Sequence, residues 1–294
     1  MTFPERLIKL APELGAAVEG VEPAALDTDH KRVLRQLLLE HKVLAFEGGL
    51  WGPDQLLLLA QAFGKLPDTL WAHETHRSSQ QVEVVAADAS KIGKANTWHA
   101  DSTWKKCPPA GAVLQCEIAP PLGGDTIWVS MSTVFSSLST RMRGYLLGLT
   151  AVHTLGQSNG FQERFLNAQE HTQYIDILRA NPPVEHPVVI RHPMTDASTL
   201  FVNPTYCHRI LGVPRSESDA VLNHLYAQLS KPEHQLRIRW KPGQVVVWDN
   251  YATQHYAASD YAPLPRRMNR VAFDWEASIP ISPAPAIATA CPSA

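Results

Sequence analysis

The stretch 235–255, QLRIRWKPGQVVVWDNYATQH, decides how this chain is built. Leu236, Ile238 and Trp240 alternate with Arg237 and Arg239, the period-two pattern of a strand with one face in a core. Lys241-Pro242-Gly243-Gln244 carries turn chemistry, and an apolar run resumes over 245–248. The unit reads as strand, turn, strand, and Asp249-Asn250 suits a further turn.

Outward from there, short β-rich runs recur at 82–86, 112–118, 126–129, 188–191, 200–203 and 267–275. Helical patterns interrupt them at 132–147 and 214–229, the latter with Ser216 and Asp219 placed as a capping box. The N-terminal part predicts strands at 7–10 and 15–21. A helix follows over 29–42 on Val33, Leu34, Leu37 and Leu38, then a strand at 43–46 and a helix opened by Pro53. Many short strands with few helical insertions favour a β-sandwich or jelly roll over a βαβ fold. Residues 1–279 are expected to form one domain, and the Pro/Ala/Ser-rich tail 280–294 to be poorly ordered.

Composition excludes several function classes. Of 294 residues, 45% are hydrophobic and 18% charged, enough apolar material for a sizeable core. A net charge of −2 leaves no basic field for nucleic acid or anionic membrane, so neither partner is expected. Glu5, Arg6 and Lys9 interrupt any apolar leader, and no apolar run reaches membrane-spanning length. Cys107, Cys116, Cys207 and Cys291 form no C-x-x-C pair, which suits reduced thiols and a cytoplasmic location.

Three separated elements carry the chemistry. In Trp98-His99-Ala100-Asp101, an extended backbone would turn His99 and Asp101 to one face. Adding His255 gives two imidazoles and a carboxylate, the facial set of non-haem Fe(II) oxygenases. In Arg266-Arg267-Met268-Asn269-Arg270, alternate residues place two guanidinium forks on one strand face. Two forks suggest two anions, a keto-acid carboxylate and an acidic group of the substrate. Thr126, after Gly123-Gly124-Asp125, offers a hydroxyl to the first. Asp249 competes with Asp101 but reads as a turn residue, and Arg267 should face away. His186 and His192 read as hydrogen-bonding residues of the fold, and Trp98 and Trp248 as packing residues.

On W-H-A-D, P-P-A-G, G-G-D-T, H-P-V-V, L-F-V-N, V-W-D-N, T-Q-H-Y-A and the R-x-x-x-R pair, the chain resembles the taurine dioxygenase-like (TauD/TfdA) family of Fe(II)/2-oxoglutarate-dependent dioxygenases. The resemblance implies a double-stranded β-helix, a cupin-like jelly roll that is mainly β with flanking helices. It implies Fe(II) on His99, Asp101 and His255, and the far carboxylate of 2-oxoglutarate on Thr126 and Arg266. Arg270 would hold the substrate's anionic group near the metal. With O2, such enzymes hydroxylate a C–H bond and release succinate and CO2. Halogenation is disfavoured because Asp101 occupies the halide's position. A homo-oligomer, dimer or tetramer, is compatible with the resemblance, although no stretch marks an interface.

Asn96, Trp71, Trp104 and Tyr206 are the remaining candidates for substrate contact, the aromatics competing with a plain core role. The family's taurine-specific members carry an Asn before the W-H-x-D motif; Ala95 and Asn96 stand in that neighbourhood here. The expected substrate is a small sulfonate, alkyl sulfate or aryloxyalkanoate. One alternative is a biosynthetic oxygenase of the same fold performing desaturation or cyclisation. A non-catalytic metal-binding jelly roll, or a zinc hydrolase, is the alternative of another class, and neither needs the Thr126, Arg266 and Arg270 clamp.

Overall fold

The computed structural model describes residues 3–47, 49–67, 75–76, 78–89, 93, 95–157, 168–275 and 281–285. The strand Val245–Asp249, buried along its whole length, lies inside an eight-stranded sheet. It pairs antiparallel with Val43–Phe46 on one side and Gly111–Ile118 on the other. Arg266–Phe273 and then Ser79–Ala87 continue the sheet beyond Gly111–Ile118. Three strands, Gln235–Ile238, Thr126–Ser130 and Thr253–Ala257, form a smaller antiparallel sheet.

Alternation along the large sheet explains the layering. Ala112, Leu114, Trp248 and Met268 share a buried cluster with Trp128, Leu236 and Ile238 of the smaller sheet. Their neighbours Val113, Val247, Val271 and Phe273 face the other way, against Leu34, Leu38, Leu56, Leu59 and Phe63. Those five come from the helices Thr28–His41 and Pro53–Phe63, which cover the outer face. One sheet is thus sandwiched between a second sheet and two helices, the jelly-roll core with flanking helices that the resemblance implied.

Local chemistry sets the helix ends. Asp27 accepts from His30 N at 2.8 Å, and Lys42 closes the first helix in the left-handed region, at φ 64°, with its N–H on Leu38 O. The pattern over 132–147 predicts one helix, but the chain forms two, Met131–Ser137 and Thr140–Leu146. Ser136 and Ser137 bond back to the carbonyls of Thr133 and Val134, and Ser139 caps the second helix through Met142 N. The capping box at 216–219 does not form. Pro214 occupies the cap position of Arg215–Leu229, and Asp219 is bound by Arg215 at 2.8 Å instead. The helix Ala168–Ala180 was not anticipated.

Within the segment expected to be a loose tail, Ser282–Pro283 pairs with the strand Val189–Arg191. Ile281 and Ala284 pack against the two largest apolar clusters, which anchors residues 281–285. Among the described residues no helix is long and apolar enough to cross a membrane.

Leu59 is fully buried between helix and sheet. Leu59→Ala is expected to lower the unfolding free energy by about 2–5 kcal/mol. Urea denaturation would show this as a lower midpoint with an unchanged slope.

Candidate functional site

His255 lies on Thr253–Ala257 directly across from Trp128. The rings of Trp128 and Trp248 stand 6.4 and 5.0 Å from its imidazole, and two buried indoles leave that side chain little rotameric freedom. His99 exchanges both backbone hydrogen bonds with His255, at 3.1 and 2.8 Å, as an isolated β-bridge. The bridge brings the two ring centroids to 4.1 Å.

Asp101 reaches the same point by a different route from the one its spacing suggests. It does not share a strand with His99: after the bridge the chain enters a turn in which Ser102 takes φ 53°. Asn250 fixes that turn. Its Oδ1 accepts from Asp101 N at 2.6 Å, and its Nδ2 donates to the carbonyls of Asp101 and Pro109, both at 3.0 Å. His186 secures the turn further along, its Nε2 donating to the carbonyls of Thr103 and Lys105 at 2.9 and 3.0 Å. Asp101 Oδ1 then stands 3.9 Å from Nε2 of both His99 and His255. One donor atom from each residue fits within a span of 4.8 Å.

Protonation suits a metal. His99 Nδ1 donates to the Thr97 carbonyl at 2.7 Å, which leaves the Nε2 lone pair on the Asp101 side. Burial, then the neighbouring His99, pull His255 down to about 3, so its imidazole is neutral at ordinary pH. Burial alone would raise the Asp101 carboxyl. Arg270, His255 and His99 outweigh it and hold the group well below the ordinary carboxylate value. Two imidazoles and an ionised carboxylate fit a divalent transition metal with open positions.

The two arginines meet different fates. Both line the same cavity with Met268, as the strand period requires. Arg270, expected as a free fork for a substrate anion, is already engaged: Nη2 lies 2.7 Å from Asp101 Oδ2 and Nη1 2.8 Å from Glu83 Oε2. Glu83 escaped the sequence reading. It sits opposite Arg270 across the strand pair, a register that no local pattern reveals. Arg266 is buried at the far end, and among the described residues no carboxylate lies within ion-pair distance of it. Its partners are neutral: Nε donates to the Gly124 carbonyl at 3.1 Å and Nη2 to Thr126 Oγ1 at 3.4 Å. Thr126 Oγ1 also accepts from Trp240 Nε1 at 2.9 Å, so the threonine's own hydrogen is available to an acceptor.

Gly123 and Gly124, at φ 75° and 71°, supply the left-handed turn that brings this carbonyl to Arg266. A Cβ on Gly124 would meet Pro120 Cγ at 2.8 Å.

A cavity of about 280 Å³ joins the two ends, lined by His99, Asp101 and His255 and by Thr126 and Arg266. Trp104 and Tyr206 stand in its wall with Leu155. Asn96 is not in the wall; its Nδ2 donates to the hydroxyl of Ser259, which is. Trp71 lies outside the described residues. Asp249 is a turn residue, its Oδ1 accepting from the N–H groups of Tyr251 and Ala252 and its Oδ2 paired with His192 at 2.9 Å. Arg267 faces away and pairs with Glu117 at 2.9 Å.

Two outcomes follow from this geometry. Asn250→Ala, which touches no donor atom, should weaken divalent-metal binding by about 10–100-fold by calorimetric titration, with the far-UV spectrum unchanged. The second concerns pH. Burial depresses His153 and His186 as well as His255 from their ordinary value of 6.5. The unfolded chain therefore binds more protons than the native one below that value, and stability rises with pH there. Metal-free protein should lose stability in urea as the pH falls from 7 to 5.

The family model described as "Taurine catabolism dioxygenase TauD, TfdA family" matches residues 6–272. An alkylsulfatase of Acinetobacter baylyi is 30% identical over 270 residues, covering 90% of this chain and 84% of that protein. An alpha-ketoglutarate-dependent sulfate ester dioxygenase of Pseudomonas putida is 29% identical over 273 residues, covering 92% of this chain and 89% of that protein. The crystal structure of a taurine dioxygenase from Burkholderia xenovorans superposes with a TM-score of 0.75 at 26% identity, covering 94% of this chain and 92% of that one. Sequence match and three-dimensional likeness both run nearly end to end, and the chain belongs to the taurine catabolism dioxygenase TauD, TfdA family.

Proposed function

We propose that this chain is an Fe(II)- and 2-oxoglutarate-dependent dioxygenase that hydroxylates a C–H bond of a small organic acid. Succinate and CO2 are the co-products, and residues 1–279 act as one catalytic unit. The observation that carries this reading is Arg266. A buried guanidinium with only neutral partners among the described residues has an uncompensated charge in a poorly solvated place, and a carboxylate ligand is its natural complement. The hydrogen that Thr126 leaves uncommitted reinforces that acceptor site.

His99, Asp101 and His255 would hold Fe(II), which supplies O2 activation and the oxidising power for the C–H bond. The protein's own residues do the positioning. Arg266 and Thr126 receive the distal carboxylate of 2-oxoglutarate, so the keto-acid end points along the cavity toward the histidines. Trp104, Leu155 and Tyr206 give the substrate an apolar wall and keep water from the reacting carbon. The alkylsulfatase and sulfate ester relatives support an alkyl sulfate, sulfonate or aryloxyalkanoate as substrate. Cys107, Cys116 and Cys207 are free thiols, which supports a reducing, cytoplasmic setting.

Succinate released from Fe(II), 2-oxoglutarate and O2 should rise on addition of one of these substrate classes. No succinate, with iron and 2-oxoglutarate verified as bound, would overturn the reading. Arg266→Ala should weaken 2-oxoglutarate binding by about 2–4 kcal/mol, roughly 30- to 1,000-fold, while metal binding persists. His99→Ala should abolish iron binding in the same titration.

A further inference from the structure

We propose that Glu83 is a specificity-determining residue. Paired with Arg270, it makes the metal end of the cavity select an acid that carries an N–H donor beside its anionic group over a simple anion of the same size. This rests on the oxygenase reading above and adds that the substrate's charged group meets the N–H donors that Arg270 has left.

The two ends of the cavity differ in charge. Among the described residues Arg266 has neutral partners only, whereas Arg270 lies 2.7 Å from one carboxylate and 2.8 Å from another. With a divalent metal on Asp101 and the keto-acid carboxylate beside it, the Arg270 end would carry no net positive charge, although an arginine stands in its wall. A guanidinium has five N–H donors, and Arg270 commits one each to Asp101 and Glu83, so donors remain for a ligand. An anion that reaches them also comes close to the Glu83 carboxylate, and like charges held together in a poorly solvated site oppose binding. A ligand with an ammonium or other N–H group next to its acid reverses that sign. Glu83 Oε1 has no hydrogen-bond partner among the described residues and would accept from it.

The acid is also rigidly held. Glu83 lies on the strand Ser79–Ala87, directly across from Arg270, and its neighbours Val82 and Val84 are buried. The side chains of Glu83 and Arg270 are only 16% and 18% exposed. A carboxylate on a paired strand keeps its place more strictly than one on a loop, as discrimination between similar ligands requires. An ion pair that served the fold alone would affect stability but would not sort ligands by a single amine.

The test uses the full chain with Mn(II) and 2-oxoglutarate, and measures calorimetric binding of ethanesulfonate and 2-aminoethanesulfonate. The wild type should bind the amino compound about tenfold tighter or more. Glu83→Gln should erase that preference, chiefly by a gain for ethanesulfonate. Equal wild-type affinities, no binding of either compound, or an unchanged ratio in Glu83→Gln would each overturn the proposal. Binding of 2-oxoglutarate in the same cell separates the two readings. Its absence removes the oxygenase assignment, and its presence without discrimination removes only the role of Glu83. Should Glu83→Gln not fold, the wild-type ratio decides, and equal binding again overturns it.

Discussion

The carboxylate of Asp249 accepts from the backbone of Tyr251 and Ala252 and from the ring of His192, both acid and imidazole being almost wholly buried. That set of bonds ends the strand Val245–Asp249 of the large sheet and sends the chain back as Thr253–Ala257 of the small one. The crossing places Asn250 where it can grip Asp101, and His255 where it can bridge to His99. Burying an ionised acid is costly unless every lone pair has a donor, and here each oxygen of Asp249 has one. The candidate metal-binding side chains are thus positioned by a turn that contributes none of them.

Electrostatics then divides one strand into two kinds of arginine. Arg266 and Arg270 have the same type and the same face, Arg266 buried and Arg270 partly so. The first meets carbonyl and hydroxyl oxygens, the second two carboxylates. A cation with neutral neighbours finds no counter-charge among them, while one between two acids has its charge matched within the fold. The fold therefore builds a polar gradient along a cavity whose wall carries both residues.

Much of this was legible in the sequence because strand alternation and chemically distinctive residues are local signals. The strands through 43–46, 112–118 and 245–248 lie where their apolar pattern placed them. His99, Asp101 and His255 converge as read, but for a different local reason, since a turn held by Asn250 replaces the shared strand face. The serines at 136–139 split a helix whose apolar period ran straight through them. Glu83 was invisible because its importance comes from cross-strand register, a property of two distant segments rather than of either one. The position of Asn96 away from the cavity wall is a fact of the same kind.

The site's parts also belong to different layers. His255 and Thr126 are carried by the small sheet, and Arg266 and Arg270 by the large one. Between the layers lies a seam of indoles, Trp128 packed 5.9 Å from Trp248 and 6.2 Å from Trp240. That seam separates the sheet that carries His255 and Thr126 from the sheet that carries Arg266 and Arg270. Replacement of those rings would thus retune the width of the cavity, Trp248 from its own wall and Trp128 and Trp240 from behind His255 and Thr126.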